Sequence, residues 1–230
     1  MNNIAIIPAR GGSKRIPLKN IKEFNGKPLV AYSIEAALKS HLFSHVIVST
    51  DDEQIAEVAK KCGAEVPFLR DKTLADDFIG TFAVTKDAFY KAQDFYHEQF
   101  DNACCIYATA PLLLPKHLIA GFDKLQETHA DSCISVCEFP FPIQRAFIVD
   151  DKGLLSYREP ENAPKRSQDL EPCYQDCGLF YFYNKNIFEG QGSKTTFYEM
   201  PRHRVIDIDT PKDWDYACAL YRTVDDLKLD

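Results

Sequence analysis

The chain reads as an α/β protein, a mostly parallel sheet covered by helices, and three observations point there. Short apolar runs such as Ile4-Ala5-Ile6-Ile7 recur along it, most are followed by a stretch with apolar residues at helical spacing, and glycine and proline are scarce, at 10 and 13 of 230 residues. Continuous apolar runs suit strands buried on both faces, and strand–helix alternation is the order that builds parallel sheets.

The elements follow in order. Ile4-Ala5-Ile6-Ile7, stopped by Pro8, is the first strand, and a turn-rich basic loop follows over 9–20. Val30, Ile34, Ala37 and Leu38 predict an amphipathic helix over Leu29–Ser40. Residues 46–49 form a second strand; Asp51 and Asp52 open a helix that a glycine stop ends near Cys62-Gly63. Phe82, Phe89, Ala92 and Tyr96 share one face of a third helix. A strand at 104–107, a helix at 115–128 and a strand at 133–136 continue the pattern.

Between 139 and 178 the chain turns rich in proline and charge, which predicts an insertion made of a hairpin around Asp151-Lys152-Gly153 and a long loop. The α/β pattern then resumes with strands at 179–183 and 205–208. Thr210-Pro211-x-Asp213 opens a last helix that turns Trp214, Ala217, Cys218 and Tyr221 inward.

Hydrophobic residues make up 45% and charged residues 27%, which excludes a disordered or fibrous chain. The net charge of −7 argues against nucleic acid or an anionic membrane as a partner. No apolar run approaches a membrane span, and MNNIAIIPAR lacks a signal-peptide pattern, so a soluble cytoplasmic protein is expected. Of eight cysteines, Cys133 and Cys137 lie on one predicted strand, where four residues span roughly 13 Å, too far for one metal. Cys173 and Cys177 have no histidine close by in sequence, and reduced thiols are expected throughout.

Two clusters carry candidate chemistry. The first 22 residues hold Arg10, Lys14, Arg15, Lys19 and Lys22 and no acidic residue. They follow a strand's carboxyl end, where open α/β sheets bind ligands. Gly11 and Gly12 allow a tight turn, and their amides with that of Ser13 can cradle phosphate oxygens while Arg10 and Lys14 supply charge. The loop is neither a Walker A motif nor a G-x-G-x-x-G fingerprint, and a solvated basic turn is the competing reading. Further on, Asp207 and Asp209 flank Ile208, so an extended chain points both carboxylates to one face, a donor pair suited to Mg²⁺. A helix-cap role accounts for Asp209 equally well but leaves Asp207 without a reason.

These residues resemble a known family. IAIIPARGGSKRIPLKN, VIVSTDDEQIAEVAKKCGAEVPFLR and DIDTPKDW are similar to the signatures of the CMP-sugar-acid synthetases, cytidylyltransferases that activate nine-carbon ulosonic acids. RSQDLEPCYQDCGLFYFY and IYATAPLL look most like the pseudaminic acid branch. The resemblance implies a Rossmann-like nucleotidyltransferase domain over 1–138 and 179–230, with a dimerisation insertion at 139–178 that makes a homodimer. It implies CTP contacts at Arg10, Gly11, Gly12, Ser13, Lys14, Lys19, Asn20, Arg70 and Thr81. Sugar contacts fall at Tyr107, Arg166 and Gln168, and Mg²⁺ ligands at Asp207 and Asp209. Catalysis would rest on Arg10, Lys14, Asp207 and Asp209.

One departure concerns specificity. Sialic acid synthetases carry a glutamine in a Q-P-T-S-P-type turn, where this chain reads Tyr107-Ala108-Thr109-Ala110-Pro111. The implied reaction is attack of the sugar's anomeric hydroxyl on the α-phosphorus of CTP, giving CMP-pseudaminic acid and pyrophosphate. No histidine falls in a matched motif, so no general base is assigned. A synthetase for N-acetylneuraminic or another nonulosonic acid is the nearest alternative. A glycosyltransferase and a non-catalytic nucleotide-sugar-binding protein are the others.

Overall fold

The computed structural model describes residues 1–74 and 79–229. A six-stranded sheet runs through the molecule in the order β10-β6-β9-β5-β1-β4. At one end β1 (Asn3–Pro8) lies between β4 (His45–Ser49) and β5 (Asn102–Ile106), parallel to both. At the other, β6 (Ser132–Glu138) pairs parallel with the edge strand β10 (Thr195–Glu199). Between the halves β9 (Tyr174–Asn184) runs antiparallel to both β5 and β6, so five strands share one direction and one opposes them. Two short pairs stand apart: β2 (Glu23–Phe24) with β3 (Lys27–Pro28), and β7 (Phe147–Val149) with β8 (Leu155–Tyr157).

Period-two alternation along the buried strands builds two cores. Ala5 and Ile7, with Val46, Val48 and Phe182, face a helical layer. That layer is α1 (Leu29–Ser40), α2 (Glu53–Lys61) and α4 (Pro115–Glu127), which contribute Val30, Ile34, Ile55, Leu118 and Leu125. Ile4 and Ile6, with Ile47 and Ala103, face the other layer, where α3 (Thr81–Tyr96) brings Ala88, Phe89 and Ala92 and α5 (Lys185–Phe188) brings Phe188. Filling both faces excludes water from the ladder, and truncating a fully buried phenylalanine such as Phe89 costs about 3–5 kcal/mol. Phe82 is the one member of the predicted α3 face that is largely exposed, though it still meets Tyr183 edge-on at 5.3 Å.

A third cluster holds the last helix, α6 (Pro211–Asp226), against α1. Trp214 and Ala217 pack with Ile16, Phe24 and Tyr32, Phe24 meets Trp214 edge-on at 5.4 Å, and the Lys22 ammonium lies 4.4 Å over the indole. Thr210 caps α6: Asp213 Oδ2 accepts from the Thr210 backbone N–H at 2.6 Å, and the Thr210 hydroxyl accepts from the Asp213 N–H at 3.3 Å.

Two sequence expectations need correction. The predicted strand at 205–208 joins no ladder, because β10 already occupies the sheet edge beside β6. The segment is extended all the same: Ile206 and Ile208 pack into the third cluster, so Asp207 and Asp209 share the opposite side. The strand expected at 179–183 begins at Tyr174 and runs to Asn184, so it starts inside the irregular stretch of 139–178. Its first half pairs with Val136–Glu138 across a register irregularity near Gly178, whose φ of +59° lets the strand bend; that break in period hid the first half.

All eight cysteines are free thiols, and burial pushes those of Cys105 and Cys133 up to about 12. Among the described residues no helix is long and apolar enough to cross a membrane.

At the start of α4, His117 is fully buried, and its Nδ1 accepts from the Leu114 N–H at 3.2 Å. Burial, with Arg204 and Lys116 as positive neighbours, lowers its pKa from 6.5 to about 4. The unfolded chain therefore takes up a proton near pH 6.5 that the folded chain refuses until about pH 4, and stability falls as the pH drops through that window. Between pH 7.5 and pH 5 this amounts to about 2 kcal/mol. His117→Asn keeps an acceptor for Leu114 and removes the titration. Urea unfolding at both pH values is expected to give a shallower loss in the variant; equal losses would exclude His117 as the cause.

Candidate active site

The loop after β1 is fixed from behind. Ala9 N–H donates to Ser49 O at 2.9 Å, and the buried Asn20 side chain donates to Arg10 O at 3.0 Å. Gly11 N–H donates to Asp51 Oδ1 at 3.2 Å, and a Cβ at Gly11 would come within 2.6 Å of Asp52 Oδ2, so only glycine lets the loop lie this close to the start of α2. Ser13 N–H turns back to Gly11 O at 3.0 Å. Two of the three amides expected to cradle phosphate are thus spent on the loop's own shape, and the anion-binding capacity passes to its side chains. Asn20 serves the same purpose by anchoring Arg10's backbone.

Those side chains line a cleft of about 450 Å³ at the carboxyl end of β1, where Arg10, Lys14, Arg15 and Lys19 face Asp207 and Asp209, with Ser13, Thr81 and Tyr107 completing the wall. Arg15 Nη2 lies 3.1 Å from Asp209 Oδ2 and Lys19 Nζ 3.4 Å from Asp209 Oδ1, while Lys19 also donates to Ile208 O. Lys19 therefore latches the basic loop to the acidic segment. Arg15, which the sequence reading placed in the loop but not in the site, is the residue added here.

Partial burial raises the Asp207 carboxyl first, the negative charge of Asp209 raises it further, and Lys19 opposes both. Two carboxylates that strain against each other at the mouth of a polar cleft are a fitting donor set for a hard divalent cation. Among the described residues no group of three or more His, Cys, Asp or Glu side chains could hold a metal unaided. A cation at Asp207 and Asp209 would thus complete its shell with phosphate oxygens and water, as Mg²⁺ does.

Two smaller spaces adjoin this cleft. One of about 210 Å³ shares Pro8, Arg10 and Thr81 with it and adds Arg70, Leu74, Ile79 and Val84. Arg70 is almost wholly buried, its Nη2 is 3.7 Å from Asp51 Oδ1, and among the described residues its Nε and Nη2 hydrogens have no hydrogen-bond acceptor. Burial lowers its pKa and Asp51 partly restores it. A buried guanidinium with unmet donors is poised for a carbonyl or ring-nitrogen acceptor. The other space, about 440 Å³, shares Tyr107, Thr109 and Asp207 and adds Gln175, Asp176 and Tyr181. Tyr107 stands at the junction, its hydroxyl 3.2 Å from Thr81 Oγ1 and its carbonyl accepting from Ser33 Oγ at 2.7 Å.

Arg166 and Gln168 are not brought to any of these spaces. Both sit on the exposed insertion, where Asp169, three residues along, captures the Arg166 guanidinium through two bonds of 2.8 and 2.9 Å. Within one chain, then, neither side chain lines the spaces beside Asp207. A roomier cavity of about 590 Å³ lies between α1 and the end of α6, but it shares no lining residue with the cleft. Its Lys27 and Lys39 are already paired with Glu35 at 2.6 and 3.0 Å.

The comparisons agree with this geometry. A family model described as Cytidylyltransferase matches residues 4–227. The chain is 43% identical over 229 residues to the pseudaminic acid cytidylyltransferase of Campylobacter jejuni, covering 96% of this chain and 97% of that one. It is 34% identical to the CMP-N,N'-diacetyllegionaminic acid synthase of Legionella pneumophila, covering 93% and 94%. Among solved structures, CMP:2-keto-3-deoxy-manno-octonic acid synthetase complexed with CTP superposes with a TM-score of 0.70 at 17% identity, covering 97% and 99%. That likeness carries the Rossmann-like nucleotidyltransferase fold. The chain belongs to the cytidylyltransferase family.

Proposed function

We propose that this chain transfers CMP from CTP to the anomeric hydroxyl of pseudaminic acid, releasing pyrophosphate. The observation that carries the reading is the row of three joined spaces, a small one floored by a buried arginine, a cationic one, and one with no cation among its described lining residues. They match in order a pyrimidine base, a triphosphate and a neutral sugar face. The 43% identity to a pseudaminic acid cytidylyltransferase supports the choice of sugar.

Arg70 would read the cytosine's acceptor edge, and Thr81 would sit where base and phosphates meet. Arg10 and Lys14 would hold charge on the phosphates, the main demand of phosphoryl transfer. Mg²⁺, when bound to Asp207 and Asp209, would offset charge on the transferred phosphoryl group. Tyr107 would face the sugar. Such an enzyme belongs in the cytoplasm, where nucleoside triphosphates are made.

The reading includes a homodimer formed through the insertion. Phe147, Ile148, Val149, Leu154 and Leu155 on and around the β7–β8 hairpin are each more than half exposed, and Phe141 is 79% exposed. Apolar side chains gathered on one protruding hairpin are the kind of patch a second copy covers. A partner's insertion is also a source for the arginine and glutamine that a single chain keeps away from its cleft. Because the 34% identical relative is named for a legionaminic acid, other nonulosonic acids are the second reading.

Pyrophosphate release with CTP and Mg²⁺ tests both readings, run against pseudaminic, N-acetylneuraminic and N,N'-diacetyllegionaminic acids. Turnover is expected to be fastest with pseudaminic acid and to stop on chelation of the metal. Asp207→Asn and Lys14→Ala are each expected to lower kcat about 10²-fold or more with folding intact; retention of full turnover would remove that residue from the site. Ile148→Asp with Leu155→Asp is expected to halve the mass measured by light scattering, and an unchanged mass would rule out this face.

A further inference from the structure

The space of about 440 Å³ beside Asp207 has a composition the cationic cleft lacks. No lysine, arginine or histidine lines it among the described residues, whereas Asp176 and Asp207 both do, together with Tyr107 and Tyr181. At its β9 end, where Asp176 stands, the lining offers carboxylate and phenol oxygens and no cation among the described residues, so an anionic group is better placed toward the cationic cleft. A neutral surface bearing hydrogen-bond donors suits this end.

Asp176 is held still for such a surface. Its Oδ1 accepts from Gly178 N–H at 2.9 Å and from the Tyr181 hydroxyl at 2.7 Å, and Oδ2 lies 2.9 Å from the same hydroxyl. Gly178 can close this turn because its φ is +59°. Tyr181 is mostly buried between the ladder partners of β9, and its proton stays on the phenol because burial and the adjacent Asp176 both push its pKa up. The carboxylate thus spends Oδ1 on fixed donors and keeps acceptor capacity at Oδ2.

We infer that Asp176, held by Tyr181 and Gly178, reads a hydrogen-bond donor on the neutral face of the sugar acid, an acetamido N–H or a hydroxyl. The sugar is thereby turned so that its own carboxylate points away from β9. This rests on the proposed sugar-acid reading and adds to it a specificity residue and an orientation. Tyr181 acts through Asp176 and is a positioning residue. Asp176→Asn is the incisive change, since the amide oxygen can still accept from Gly178 and Tyr181 while the amide nitrogen turns the remaining acceptor into a donor.

Steady-state kinetics with CTP and pseudaminic acid test this. Asp176→Asn is expected to raise the KM for the sugar about 10- to 100-fold, the span of a hydrogen bond to a charged group, with the KM for CTP within twofold. Tyr181→Phe is expected to shift the same constant in the same direction by less, and it carries the test if the Asn variant does not fold. A nonulosonic acid with hydrogen in place of the acetamido groups, and so without their N–H donors, assigns the donor. If the variant's defect vanishes with it, the donor is the amide N–H; an equal defect identifies a hydroxyl. A sugar KM within twofold of the unaltered enzyme in both variants would overturn the inference. Failure of the unaltered enzyme to release pyrophosphate with any sugar acid is a different result, which sinks the function and the inference with it.

Discussion

Lys19 donates to the carbonyl of Ile208 and lies 3.4 Å from Asp209, which ties the loop after β1 to the segment before α6 and so brings the cleft's cations to its carboxylates. Its side chain is only 18% exposed, so water screens this contact far less than an ordinary surface ion pair. Arg15 reaches the same carboxylate at 3.1 Å but is 64% exposed, and a pair of that kind contributes about 0–1 kcal/mol. The two cations thus differ in role: Lys19 fixes the geometry, and Arg15 can leave Asp209 for another anion at little cost.

The same economy of charge runs through the rest of the cleft. Four cations gathered near one strand end repel one another, and the fold answers with carboxylates on two sides, Asp51 and Asp52 behind the loop and Asp207 and Asp209 in front. Asp51 serves twice, accepting from Gly11 and standing 3.7 Å from the buried Arg70. That distance offsets Arg70's charge and, among the described residues, leaves its Nε and Nη2 donors unmet.

Much of this was legible in the sequence because it follows from local patterns. The run Ile4–Ile7 and the spacing of Val30, Ile34 and Ala37 reflect burial on a sheet face or helix stripe, and both elements lie where those periods put them. The helix cap at Thr210 and Asp213 was readable for the same reason. What escaped depends on contacts between distant segments. Whether 205–208 joins a sheet is decided by β10 having taken the edge, which no property of Val205 or Ile206 reveals. The amides of Gly11 and Ser13 looked free for phosphate because the partner of Gly11, Asp51, sits 40 residues away. Asp176 drew no notice because its neighbourhood read as an irregular loop, when a bulge and the positive φ of Gly178 were continuing a strand.

The arrangement of the three spaces carries the last step. The small one shares Pro8, Arg10 and Thr81 with the cationic cleft, and the acidic one shares Tyr107, Thr109 and Asp207 with it, so the cationic cleft lies in the middle. On the proposed reading, a nucleotide anchored at Arg70 must lay its phosphates across the middle and meet the acceptor from the side of β9. Asp207 is the one charged residue common to the middle and acidic spaces among the described residues. On that reading it would stand where the two substrates touch, its carboxyl pKa raised by partial burial and by Asp209 against the pull of Lys19. On the same reading, a sugar acid entering the space beside β9 presents its neutral side to Asp176 and leaves its carboxylate toward the cations of the middle cleft.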